Sequence, residues 1–244
     1  MQLEIGTGSS RLSEVDQGIL TKYAARAAWP AGFSVYQRGS NADGVFIVTS
    51  GHVVLRSRAK AGRSFVPWIA VPGETFGSEG LALDAHYATD ARVEEETSTL
   101  FLDSTRFRAF VREQPQHSLT LINQLMAERG ALLDRLRELT TLSVEQRLVV
   151  TLVRLANNRT FTDTDGRVSL CPSRYRLLCE LVGATRESVS LVFARLTGEG
   201  IVERQGTSMV VTSASDLIAR LDSAGSDIET PLMTMTDRAE QTIQ

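Results

Sequence analysis

The chain's apolar positions change period along its length, and each change marks a boundary. From about Trp29 to Leu102 they come in short bursts: Phe33-Ser34-Val35-Tyr36 alternates, Arg38–Gly44 is rich in turn formers, Val45-Phe46-Ile47-Val48 is β-branched and aromatic, and Gly51 leads into His52-Val53-Val54-Leu55. Phe65–Val71 and Ser98–Leu102 add further strands. Many short strands at close spacing predict a small sandwich or barrel. Pro67 suits an edge or a bulge there, because it cannot donate to a ladder. After Asp103 the period lengthens. Leu119, Ile122, Met126, Leu133 and Leu136 lie on one helical stripe, and Leu121, Leu125, Leu132, Leu139 and Leu142 make a second on a neighbouring face. They predict one helix over about Gln116 to Thr140, about 36 Å long. Two stripes imply two packing partners, the strand domain on one side and a second copy of the chain on the other. The plainer alternative makes both of them intramolecular core.

Ser143 reads as the N-cap of a further helix running to Ala156. The polar Asn157–Arg167 stretch carries a hairpin signal at Asp165-Gly166. Ser173 then reads as the cap of a short helix, Arg174 to Leu181, with Leu177, Leu178 and Leu181 on one face. Val182-Gly183-Ala184 turns, Thr185 caps a second helix, and Val189, Val192, Phe193 and Leu196 form its buried stripe. Two short helices about a glycine-bearing turn are a helix-turn-helix pattern. Ile201–Arg204 and Ser208–Val211 around Gln205-Gly206-Thr207 predict a hairpin wing. Arg186, Glu187 and Ser190 face outward and have the chemistry of major-groove reading: arginine donates twice to guanine, glutamate accepts from cytosine, and serine pairs with either kind of edge. A merely solvated helical hairpin would have the same spacing.

Composition narrows the setting. The 244 residues are 42% hydrophobic and 23% charged with a formal net charge of -3, which suits a globular chain rather than a uniformly basic coat for nucleic acid. Met1–Ser13 lacks a signal peptide's apolar core, and Leu148–Ala156, interrupted by Arg154, is too short to cross a bilayer. Neither export nor a membrane is expected, and the cytoplasm is the predicted location. The two cysteines, Cys171 and Cys179, complete no disulfide framework or metal site, and the three histidines join no catalytic set, so neither a metal nor an enzyme is expected. Lys22 and Lys60 are the lysines among 26 basic residues, so positive charge is nearly all guanidinium. Arg174, Arg176, Arg186, Arg195 and Arg204 lie on or near the outward face of the helix-turn-helix.

Leu181-Val182-Gly183-Ala184-Thr185-Arg186-Glu187-Ser188-Val189-Ser190 resembles the recognition segment of the Crp/Fnr family of bacterial transcription regulators, G-x-[ST]-R-E-[ST]-V. Gly44–Gly51 and Val71–Gly77 resemble that family's effector-binding β-roll, and the likeness runs over about residues 20–215. It implies an α+β chain: a double-stranded, jelly-roll-like β-helix of the cyclic-nucleotide-binding type over 14–115, a dimerisation helix over 116–142, a winged helix-turn-helix over 143–222 and a flexible tail over 223–244. The DNA-contacting set it implies is Ser173, Thr185, Arg186, Glu187, Ser190, Leu191, Arg195 and Arg204, with dimerisation through Leu119, Ile122, Met126, Leu133 and Leu136.

The effector site departs from the family. Members that bind cyclic AMP place a glutamate after the Phe-Gly turn, an Arg-Ser pair beyond the next loop and a Thr-Ser pair on the long helix. This chain has Gly77-Ser78 with Glu79 one position late, Tyr87-Ala88-Thr89 where the Arg-Ser pair is expected, and Leu132-Leu133 on the helix. Without the arginine that neutralises the cyclic phosphate, no cyclic nucleotide is expected as cofactor; the pocket either holds a different ligand or is vestigial and filled by its own side chains, such as Tyr87, Leu132 and Leu133. Arg92 is the nearest guanidinium, and His86 stands alone in its loop. In the recognition helix Leu191 replaces a further family arginine; it either meets a thymine methyl or packs beside Val192. The expected function is a homodimeric, sequence-specific regulator on an inverted-repeat operator of double-stranded DNA, with RNA polymerase a partner through the Asn157–Arg167 loop. The competing reading is a sensing module, for a cyclic nucleotide or another small ligand, whose DNA binding is ligand-gated or which acts through protein partners.

Overall fold

The computed structural model describes residues 11–58, 64–156, 162, 167–206, 208–211, 217 and 219. A short helix, α1 (Glu14–Leu20), starts at Ser13, whose hydroxyl accepts from the Asp16 amide. Eight strands follow: β1 (Ala25–Trp29), β2 (Ser34–Tyr36), β3 (Gly44–Ser50), β4 (Val53–Arg58), β5 (Ser64–Ala70), β6 (Thr75–Phe76), β7 (Asp90–Val93) and β8 (Thr97–Asp103). They pair antiparallel into two sheets, β1-β8-β3-β6 and β2-β7-β4-β5, stacked as a β-roll.

Strand alternation assigns each side chain to a layer. Phe46 and Val48 from β3 meet Val53, Leu55, Trp68 and Ala70 between the sheets, while Val45 and Ile47 point outward to Leu20, Phe110 and Leu121. On the other sheet Val54, Val66, Ile69 and Val71 also point outward, into a cluster shared with the C-terminal domain. The central strand β3 is covered on both faces, which explains why it reads as an unbroken apolar run. Pro67 lies in the edge strand β5, at the point where the β4–β5 register shifts between Leu55 and Ser57. It is both edge and bulge. Gly44 and Gly80 pass so closely that a Cβ on Gly80 would overlap the Gly44 backbone. The alanine-rich β1 and the short β6 and β7 carry too little apolar alternation to be read from the sequence.

Asp103 caps α2 (Ser104–Glu113) by accepting from the Thr105 and Arg106 amides, and α3 (Pro115–Thr141) follows as a 27-residue rod. Leu119, Ile122, Met126, Leu133 and Leu136 are between 37% and 60% exposed, so the reading in which both stripes are intramolecular core does not hold. The second stripe needs a larger correction. Leu121 is fully buried, but Leu125 and Leu139 are half-buried and Leu132 is exposed. The row turned toward the body is mostly polar: Ser118, Gln124, Glu128, Ala131, Arg135 and Glu138. Gln124 Nε2 donates to Gly73 O at 2.8 Å and Thr75 Oγ1 to Glu128 Oε2 at 3.2 Å, so this row is held by directed bonds as well as by packing.

A two-residue break at Leu142 and Ser143 separates α3 from α4 (Val144–Ala156). Ser143 and Gln146 form a reciprocal capping box, each side chain bonded to the other's amide. Then come β9 (Val168–Leu170), α5 (Pro172–Val182), α6 (Arg186–Gly198), β10 (Val202–Gln205) and β11 (Ser208–Val211), the strands ordered β10-β11-β9. The hairpin expected at Asp165-Gly166 and the tail over 223–244 lie outside the described residues.

Candidate functional site

The first helix of the helix-turn-helix starts earlier than its sequence suggests. Pro172 occupies the first turn and Cys171 the cap position, so Ser173 is not the cap; it sits exposed inside the helix with its hydroxyl 3.2 Å from Cys171 Sγ. Proline's fixed φ suits that first turn. The turn closes on Gly183, whose φ of 65° is left-handed and whose Cβ, if present, would lie 3.1 Å from Leu139 of α3. Thr185 caps α6 by accepting from the Ser188 amide. Val189, Val192, Phe193 and Leu196 are buried, as their spacing predicts.

Arg186, Glu187, Ser190 and Leu191 are all exposed at the N-terminal end of α6. Leu191 is 69% exposed, which removes the inward-packed alternative. The Glu187 carboxyl is held below the usual carboxylate range by its own backbone N–H and the Thr185 hydroxyl, which keeps it a charged acceptor. Arg195 does not join this row. It lies half a turn round the helix from Arg186 and its Nη1 pairs with Glu145 Oε2 of α4 at 2.9 Å. Arg204 is exposed on β10, with Nε donating to Gly206 O at the wing tip. Tyr175 on α5 touches both Arg186 and Ser190 and was missed by the sequence reading, because the contact crosses the turn.

In the roll the region around Gly77 is filled with rings. Gly77 has a φ of 69°, and a Cβ there would lie 3.0 Å from Tyr87 and 3.1 Å from Tyr36. Tyr36 and Tyr87 stack with centroids 3.7 Å apart, and Phe46, Phe76 and Phe101 continue the cluster. Ser78 and Glu79 begin a 3-10 turn, and Glu79 Oε1 accepts from the Ala88 amide at 3.2 Å. Thr89 is half-buried and bonds Tyr36. Leu132 and Leu133 do not fill this region as expected: both are exposed, because α3 turns Glu128 and Ala131 toward the roll instead. Burial pushes the Glu128 carboxyl up to about 7, and nearby Glu79 adds to the rise. Arg92 is turned away, its Nε donating to Gly32 O at 3.1 Å. His86 is exposed in its loop.

A cyclic nucleotide carries an anionic phosphate that needs a cation or a nest of amides. The side chains around Gly77 offer Glu79, Glu128 and two stacked tyrosine rings, so they supply no countercharge for that phosphate. No helix among the described residues is long and apolar enough to cross a membrane.

Comparison with known proteins places both halves. Residues 26–114 match the cyclic nucleotide-binding domain family and 146–220 the Crp-like helix-turn-helix domain. The chain is 29% identical over 213 residues to the cyclic AMP receptor protein of Thermus thermophilus, covering 85% of this chain and 92% of that one. It is 25% identical over 202 residues to the CRP-like cAMP-activated global transcriptional regulator of Mycobacterium tuberculosis, covering 82% and 90%. Its fold matches the c-di-GMP-responsive global regulator CLP of Xanthomonas campestris with a TM-score of 0.71 at 20% identity, over 82% of this chain and all of that one. A β-roll, a long helix and a winged helix-turn-helix in that order, with both domain matches and these relatives, make the chain a member of the Crp/Fnr family of transcription regulators rather than an enzyme.

Proposed function

We propose that this regulator is a homodimer that binds an inverted-repeat operator without a cyclic nucleotide. The observation that carries the reading is the row Arg186, Glu187, Ser190 and Leu191, exposed together at the start of a helix whose other face is buried. Arginine and glutamate there suit a guanine–cytosine pair, and Leu191 suits a thymine methyl beside it. Thr185 and the helix N-terminus suit a phosphate, and Arg204 on the wing a neighbouring one. Ser173, exposed at the start of α5, is placed for the backbone, while Arg195 serves α4 through Glu145.

The dimer forms along Leu119, Ile122, Met126, Leu133 and Leu136, an apolar stripe too long to be left in water. A second copy paired there sets two recognition helices about one duplex turn apart. The acidic, ring-filled roll supports independence from cyclic AMP, although two relatives are named for that nucleotide. The protein acts in the cytoplasm, where its DNA is.

Gel shift against a library of inverted repeats tests this directly. The full-length protein should retard an inverted repeat at least tenfold better than a single half-site, with the same affinity with and without cyclic AMP. Arg186→Ala should cost about 1–3 kcal/mol and relax one base position. Equal weakening on every sequence would overturn the base-reading role, and a rise in affinity with cyclic AMP would overturn the ligand-independent reading.

A further inference from the structure

Tyr175 of α5 reaches both an arginine and a serine of the recognition row. Its hydroxyl lies 2.9 Å from Ser190 Oγ. The Arg186 guanidinium carbon sits over its ring, 5.7 Å from the centroid. The ring is itself backed by Phe193 of α6, centroids 5.5 Å apart. Phe193 is buried, so the ring rests on the domain core while its edge and one face meet the DNA-facing residues.

These contacts remove particular freedoms. A serine hydroxyl rotates to suit its partners and can offer either a proton or a lone pair. The geometry admits either hydroxyl as the donor, and the phenol, being more acidic than an alcohol, is the better one, which leaves Ser190 as the acceptor in the arrangement we adopt. The Ser190 proton is then free to point outward, toward an acceptor such as guanine O6 or thymine O4. Arg186 has a long stem with many rotamers, and a guanidinium stacked on a ring keeps its donor fork in one plane. Both effects act before DNA arrives.

We propose that Tyr175 is a positioning residue for DNA reading, which orients Ser190 as a hydrogen-bond donor and holds the Arg186 fork in place. This rests on the base-reading role assigned to α6 above. The two fail in different ways.

The experiment measures the affinity of the full-length protein for an operator and for each single-base-pair variant of one half-site, with thermal unfolding in parallel. Tyr175→Phe keeps the ring and loses the hydroxyl. It should lower discrimination about three- to tenfold at the base pair whose preference Ser190→Ala also alters, leaving the Arg186 position and the unfolding midpoint unchanged. Tyr175→Leu removes the ring and should also weaken discrimination at the position that Arg186→Ala relaxes. The double variant Tyr175→Phe with Ser190→Ala should be no worse than Ser190→Ala, because the hydroxyl acts through the serine. Additive losses, uniform weakening across all sequences, or wild-type discrimination by Tyr175→Phe would each overturn the positioning role while leaving α6 as the reader. If neither Arg186→Ala nor Ser190→Ala changes any base preference, the base-reading role falls, and this inference with it.

Discussion

At the scale of single residues the junction between roll and long helix holds two unusual acids. Glu74 is 1% exposed, and burial pushes its carboxyl up to about 7 although Arg11 partly offsets the cost. Glu128 reaches the same range for the same reason, with Thr75 Oγ1 as its donor and Glu79 nearby. Between the ordinary carboxylate value and about 7 the folded chain keeps protons that the unfolded chain releases, so stability falls as pH rises through that window and is lowest above it. Glu128→Gln keeps the Thr75 bond and removes the charge. It should raise the unfolding free energy at pH 8 by about 1–3 kcal/mol and change it little at pH 5, where the carboxyl is already protonated in the fold. Equal effects at both pH values, read by denaturant titration, would show that the charge is not what burial penalises. Neither Glu128 nor Tyr175 was legible beforehand. Each matters through a neighbour brought close by the angle between two elements, and a linear pattern does not contain that angle.

Elements were far easier to read. The outward stripe of α3 and the buried stripe of α6 follow from spacing alone, because each pits one apolar face against water. The inward row of α3 did not, since leucines at 125, 132 and 139 drew attention from polar residues that make its contacts. A polar side chain with a buried partner looks in sequence like a solvated one. Leu133→Glu places a charge within the outward stripe, where each leucine covered by the proposed dimer partner would be worth about 1.5–3 kcal/mol. If the proposed dimer forms there, sedimentation of this variant should show a monomer at concentrations where the parent sediments as a dimer, and operator affinity should fall toward that of a half-site. A variant that sediments as the parent does would place the dimer contact elsewhere.

Over the whole molecule the reading head is not a bead on a string. Val54, Val66, Ile69 and Val71 of the roll share a core with Leu177, Leu181 and Val182 of α5. Arg56 Nη2 of β4 meets Glu180 Oε2 of α5 at 2.8 Å, with side chains 12% and 15% exposed. Arg147 ties the end of α3 to the end of α5, donating to Leu142 O and Val182 O at 2.7 and 2.9 Å. Glu180→Arg sets two guanidinium groups against each other, with Glu94, 3.4 Å from Arg56 Nη2, as a partial countercharge, so it should destabilise the chain by roughly 3 kcal/mol, and the reversal Arg56→Glu with Glu180→Arg should recover part of it, since the new glutamate then faces Glu94. Thermal unfolding of the single and double variants checks this; a double variant no better than the single would mean the pair is not a coupled unit. The directed bonds along α3 bear on how such a molecule can move. Sliding that helix by one turn, about 5.4 Å, would strip Gln124 from Gly73, Glu128 from Thr75 and Glu138 from Arg154 together. A piston stroke of the long helix would therefore break all three at once, whereas a swing about a fulcrum at Leu142 and Ser143 would break only the one of them that spans it, Glu138 to Arg154.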